Sequence, residues 1–217
     1  MEYKEGDFIY LNFTLRVGGK LVDTTNEALA KEEGLKLPDY SSKIIILGRS
    51  FIHKALDTEI LEKKVTKGKI ELEAKDAYGL KKKELIRTFP FSVFREQKMN
   101  PVAGMEYDFG GMTGLVKTVS RSRVLVDFNH PYAGKDFVLD FEIVKKVENI
   151  LEKIKTLLVV YLRIPQSLFS LELKEKTIVL SLPEQVHSFK QAITNTCKEF
   201  IPEFSDFKLD IENFKKN

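Results

Sequence analysis

Three histidines and one cysteine are the side chains here best suited to proton transfer, nucleophilic attack or metal ligation: His53, His130, His187 and Cys197. The histidines are separated by 77 and 57 residues, far from the short spacings that place two ligands on one metal. A lone cysteine excludes an intrachain disulfide framework and a cysteine-based zinc site. In QAITNTCKEF that cysteine falls on one face of a predicted helix, where a thiol acts as an inert core group. No His–carboxylate or Ser–His pair of persuasive spacing accompanies them, so neither a metal nor a cofactor is expected. The densest chemical setting is VDFNHPYAG (126–134), where His130 could be a base, a ligand or a piece of turn chemistry. Pro131 removes a ladder donor and biases His130 toward extended backbone. Asn129 can bond nearby backbone and Gly134 allows a turn, which together predict a hinge.

The elements that must position these residues follow from patterning. DFIYLNFTLRV alternates Phe8, Leu11, Phe13, Leu15 and Val17, Gly18-Gly19 supplies a turn, and KLVDTT returns as a second strand. NEALAKEEG is helical at first. SKIIILG is a continuous apolar run suited to a strand buried on both faces. FIHKALDTEILEK spaces Ile52, Leu56, Ile60 and Leu61 as a short helix, and KIELEAKDAYG is a half-buried strand ending in a turn. Residues 85–129 change character, with Met99, Met105 and Met112, five phenylalanines and four glycines among short strands. Alternation resumes in FVLDFEIVKKV, so 85–129 reads as an insertion within a domain formed by 1–84 and 130–148. From 149 onward ENILEKIKTLLVVYL predicts a helix, FSLELKEKTIVLSLP two strands, Pro183 to about Phe200 a second helix and FKLDIENF a last strand.

The chain has 217 residues, is 43% hydrophobic and 31% charged, and carries a formal net charge of +3. That composition suits a folded globular chain and gives no basic excess of the kind that marks a nucleic-acid-binding surface. No run of about eighteen apolar residues is present, so no membrane partner is expected. MEYKEGDF lacks a signal peptide's apolar core, and a cytoplasmic location is expected. The basic cluster Lys81-Lys82-Lys83 reads as a solvated loop.

KLVDTT, IIILGRSFIHKALD, AKDAYG and GMTGLVKTVSRSRVLVDFNHPYAGKDFVLDFEIVKKV occur in that order. Over roughly residues 5–148 the sequence resembles the SlyD-type branch of the FK506-binding proteins, prolyl isomerases with a chaperone insert in the flap. AYG followed some fifty residues later by VDFNHPYAGK is the most specific part. The unit beyond 149 makes the whole similar to the long archaeal type with a C-terminal extension. The resemblance implies an α+β fold: an FKBP-like antiparallel half-barrel around a short helix, an inserted small β-rich domain at 85–129, and a C-terminal α+β domain at 149–217.

It also implies a pocket containing Phe13, Val22, Asp23, Ile52, His53, Leu56, Tyr78 and Leu139, with Tyr132 touching substrate. Tyr78 stands at the AYG tyrosine and would donate to a substrate carbonyl; Asp23 stands at the family's pocket aspartate. His53 would contribute its backbone N–H. Phe13 replaces a frequent tyrosine, Leu139 a phenylalanine and Ala55 a glycine, so activity is expected with a reshaped and weaker slot. SlyD proteins often carry a His- and Cys-rich tail for nickel, whereas FKLDIENFKKN has neither residue.

In the insert, Phe91, Phe94, Met99, Met105 and Met112 are expected to hold unfolded clients, because flexible thioethers fit many partners. The expected partners are unfolded or nascent proline-containing polypeptides, an FK506-like ligand of the pocket, and a second copy of the chain joined through 149–217. Two rival functions remain: a holdase with little isomerase activity, and a ribosome- or RNA-associated factor suggested by Lys81–Lys83.

Overall fold

The computed structural model describes residues 2–214; Met1 and 215–217, the last three residues of the histidine-free tail, lie outside the described residues. The chain is mixed α+β, with sheets that are mainly antiparallel. Its strands and helices in order are β1 (Phe8–Val17), β2 (Lys20–Thr24), α1 (Glu27–Glu32), β3 (Lys43–Ile46), α2 (Lys54–Leu61), β4 (Lys67–Leu72) and β5 (Ile86–Pro90). Then follow α3 (Phe91–Glu96), β6 (Glu106–Asp108), β7 (Thr113–Val119), β8 (Arg123–Asp127) and β9 (Phe137–Lys146). The chain closes with α4 (Ile150–Thr156), β10 (Ser170–Lys174), β11 (Thr177–Leu182), α5 (Lys190–Phe200) and β12 (Lys208–Asn213). One sheet runs β2-β1-β9-β4 with β3 also on β1; β5-β8-β7-β6 and β10-β11-β12 form two others. Chain contacts define two compact units, one of residues up to Thr14, Asp23–Ile70 and from Asp140 onward, the other of Leu15–Val22 and Glu71–Leu139.

In the first unit β1 and β3 pair antiparallel with Phe8 opposite Ile46 and Leu11 opposite Lys43. The period-two pattern of β1 puts Phe8, Leu11 and Phe13 inside, as the side-chain alternation of a strand requires. The buried residues beyond 149 form a core that continues into β1, β3 and the residue after β9. Ile154, Leu157, Leu158, Ile178, Leu180, Ile193, Cys197 and Phe204 share one buried cluster with Phe8, Ile46 and Val147. Arg49 reinforces this, stacking 4.5 Å over the Phe200 ring and lying 3.7 Å from Glu199. Ile154, Leu157 and Leu158 of the predicted helix are therefore covered within the chain. Burial raises the Cys197 thiol to about 12, leaving it the inert core group its helical position predicts.

The predicted helix through Tyr161 changes type midway. α4 begins at Asn149, whose side chain caps Leu151 and Glu152 N–H, and passes at Leu157–Tyr161 into a π-helical turn. The predicted helix 184–200 is likewise two elements, a 3₁₀ segment Glu184–Phe189 and then α5. His187 lies in the former, its Nε2 2.9 Å from the Leu182 carbonyl, a structural contact.

In the second unit Phe94, Val116, Val124 and Val126 form a core packed by Phe89, Phe91, Met99, Tyr107, Phe109 and Phe128, all within the 85–129 segment. Its rings meet edge-to-face, as at Phe109–Phe128 (5.2 Å) and Phe94–Phe109 (5.8 Å). Gly114 is required by this packing, since a Cβ there would sit 2.5 Å from Val126 Cγ1 and 2.8 Å from Phe128 Cε1.

Candidate functional site

A cavity of about 510 Å³ opens in the first unit, and its wall contains Phe13, Asp23 and Ile52 together with Tyr10, Ile44 and Phe51. Each is set by local structure. Phe13 is fixed through its backbone: Thr25 N–H donates to its carbonyl (2.9 Å), its own N–H donates to Thr25 Oγ1 (2.9 Å), and Thr24 Oγ1 donates to the same carbonyl (3.2 Å). The threonines of KLVDTT thus hold Phe13 where the β2 end meets α1. Ile52 precedes α2, whose cap is His53: Nδ1 accepts the Ala55 N–H at 3.2 Å. The loop before it is tethered by Asp57, a buried carboxylate that accepts the Ser50 N–H at 2.8 Å while Ser50 holds a left-handed φ of 51°. Asp57 went unread in the sequence, because an acceptor bonding seven residues upstream matches no local motif.

Leu56 does not reach this cavity; it is fully buried on the inner face of α2 and acts as packing beneath it. A larger depression of about 870 Å³ beside Asn12, Thr14, Lys67 and Glu142 is bordered by a 3.2 Å Lys67–Glu142 ion pair. Its charged rim suits a prolyl ring poorly.

The C-terminal segment supplies the rest of the first cavity's wall, through Glu152, Thr156, Val159 and Val160. Glu152 lies beside the Tyr10 hydroxyl; burial first, and this carboxylate second, hold the Tyr10 hydroxyl above its ordinary value, so it stays a protonated donor.

The second unit holds Val22, Tyr78, Tyr132 and Leu139. Leu139 is fully buried and Val22 half-buried. Tyr78 sits in an aromatic cluster: the His130 ring stacks on it at 4.6 Å and 7°, Tyr132 lies at 5.3 Å, and Phe137 meets it edge-on at 6.1 Å. Burial chiefly, and then Tyr132, keep the Tyr78 hydroxyl above its ordinary value and therefore protonated. His130 Nδ1 accepts the Tyr132 N–H at 3.2 Å, and its carbonyl accepts the Ala133 N–H at 2.9 Å. His130 is thus a turn-former and a ring support for Tyr78.

Asn129 extends this hinge in an unexpected direction. Its Nδ2 donates to the Lys82 carbonyl (3.0 Å) and its Oδ1 accepts the Lys82 N–H (2.8 Å), a side chain acting as a strand across 47 positions. Asp127, buried, accepts from the Asn129 N–H and Nδ2 at 2.9 and 2.8 Å, with Lys81 3.9 Å away. Burial would raise the Asp127 carboxyl, but the Asn129 bonds and the Lys81 and Lys117 charges outweigh it and lower the group.

The five insert residues divide. Met105 and Met112 are 55% and 52% exposed, and Val102 is exposed as well. Phe94 is 1% exposed and forms the core, so it presents nothing to a client; Phe91 and Met99 pack half-buried against that core. Helix α3, which carries Phe91 and Phe94, was not anticipated among the short strands. Among the described residues no cluster of three or more metal-ligating side chains occurs, and no helix is long and apolar enough to cross a membrane.

The family described as FKBP26, IF domain, matches residues 87–132. A short-type peptidyl-prolyl cis-trans isomerase of Methanocaldococcus jannaschii is 29% identical over 136 residues, 61% of this chain and 87% of that protein. An FKBP-type 16 kDa peptidyl-prolyl cis-trans isomerase of Escherichia coli is 25% identical over 142 residues, 63% of this chain and 89% of its own, and its counterpart in Shigella flexneri matches equally.

Proposed function

We propose that this FKBP-type, SlyD-like chain is a peptidyl-prolyl cis-trans isomerase whose insert also works as a folding chaperone. The observation carrying the isomerase is the cavity walled by Phe13, Asp23 and Ile52. Rotation about a peptide bond costs about 18–20 kcal/mol because amide resonance is lost, and uncatalysed prolyl exchange takes tens to hundreds of seconds. No bond is broken, so a catalyst needs neither nucleophile, metal nor base. It needs a dry apolar slot and fixed dipoles that favour the twisted amide over the planar one. Phe13, Ile44, Phe51 and Ile52 supply apolar wall, and Asp23 an acceptor.

Tyr78, Tyr132, Val22 and Leu139 keep the roles that the resemblance implies. The protonated Tyr78 hydroxyl is a donor for a substrate carbonyl, and the stacked His130 orients its ring. The backbone N–H at His53, just before α2, is the proposed substrate donor on that side. The finer architecture, an FKBP-like half-barrel with a β-rich insert and an α+β extension, belongs to the same proposal. So does a homodimer through 149–217, where Leu168, Leu173 and Phe189 stay exposed; sedimentation of the full chain tests it.

For the insert, exposed Met105, Met112 and Val102 support client capture by adaptable apolar contact. Capture raises the local concentration of prolyl bonds, so proline-limited refolding should be catalysed more efficiently than a short peptide. A protease-coupled peptide assay tests the isomerase. Acceleration by the wild type that falls in Asp23→Ala and Tyr78→Phe is expected. A wild type without acceleration overturns it and leaves the holdase, which the exposed methionines favour independently.

A further inference from the structure

The π-helical turn at Leu157–Tyr161 separates two kinds of apolar residue. Leu157 and Leu158 are buried in the shared core, whereas the next two, Val159 and Val160, are 37% and 43% exposed. The Leu162 N–H reaches the Leu157 carbonyl at 3.0 Å, five residues back, and the Ile164 N–H reaches Leu158 at 2.9 Å. One residue more per turn than an α-helix carries swings Val159 and Val160 outward, and such turns recur at functional sites. Here both valines enter the wall of the cavity that holds Phe13, Asp23 and Ile52. That cavity, at about 510 Å³, is in the range of sites that bury ligands considerably larger than one pyrrolidine ring.

We propose that Val159 and Val160 form a specificity subsite that takes an apolar side chain of the client next to its proline. The C-terminal segment then selects substrate as well as completing the fold. This rests on the isomerase reading above.

Two peptide series test it, with glycine, leucine or phenylalanine placed before the proline in one and after it in the other. The wild type should prefer leucine or phenylalanine over glycine in at least one series. The double variant Val159→Ala, Val160→Ala should cut that preference about tenfold through KM, the discrimination a few methylenes provide, with leucine and phenylalanine peptides losing more than glycine peptides. An unchanged preference overturns the subsite. A second readout needs no catalysis: the chain contains no tryptophan, so Val160→Trp introduces a single indole, excited selectively beyond the absorption of the seven tyrosines. Its emission should shift with leucine–proline peptide and stay still with glycine–proline peptide; equal response to both, or to neither, also counts against the subsite. If the wild type isomerises no peptide yet this emission discriminates, the isomerase reading falls and the apolar subsite stands. If the wild type isomerises and emission does not discriminate, only the subsite falls.

Discussion

The cavity-bearing unit and the insert put similar apolar residues to opposite uses. In the first, Phe13 is buried with its backbone bonds fixed by Thr24 and Thr25, and Ile45 is buried in register with Ile9. In the second, an aromatic core of Phe89, Phe94, Phe109 and Phe128 carries Met105 and Met112 outside it on glycine-bearing loops. A rigid slot favours one twisted geometry, and a pliant thioether surface accepts many sequences. Holding a client and turning its bond therefore ask for different packing, and one chain provides both.

Deleting residues 149–217 should break the comparison most severely. It uncovers Phe8, Ile46 and Val147, each fully buried residue being worth about 1.5–3 kcal/mol. The calorimetric transition of the first unit should vanish; a shortened chain that kept full isomerase activity and cooperative melting would refute the shared core. Gly114→Ala comes next, because its Cβ would overlap Val126, and overpacking costs about 1–3 kcal/mol. Client capture should drop and melting of the insert should fall, while short-peptide isomerisation holds. Asp23→Ala sharpens the other side: an about tenfold loss of kcat/KM on peptides, on the order of one hydrogen bond, with aggregation suppression intact. Met105→Ser with Met112→Ser should do the reverse, weakening suppression of aggregation a few-fold and sparing peptides; equal losses in both assays would remove the division of labour.

The smallest effect concerns acid. The Asp127 carboxyl is held below its ordinary 3.8, so its contribution is present above that value and disappears as pH falls through the lowered one. Asp127→Asn should flatten the pH dependence of insert melting below about pH 4 at a cost of about 1 kcal/mol.

What could be read in the sequence was what repeats locally. β1, β7, β8 and β9 alternate, Gly18-Gly19 turns with positive φ at both residues, and α2 carries Leu56 and Ile60 on one face. Strands β10, β11 and β12 also fall where alternation and turns put them. α3 is only six residues long, too short for its period to stand out among strands. The tertiary contacts of the candidate site left no local trace. Tyr78 meets His130 52 positions away, and Asn129, expected to bond nearby backbone, also spans to Lys82. Leu56 is expected in the pocket from the resemblance, and it is fully buried on α2. Val159 and Val160 were missed because a π turn shifts the side-chain direction that a 3.6-residue period predicts.

The Asn129–Lys82 pairing has a further consequence. It adds to the β5–β8 pairing, where Ile86 lies opposite Asp127, and paired strands lie roughly 5 Å apart, so the segment between them leaves and rejoins the chain at nearly the same point. Such closed-ended segments are the ones that genomes can splice, because the host sees only a neighbouring pair of attachment points. Lys82 and Asn129 thus bracket a segment whose two ends are fastened to each other, whatever lies between them.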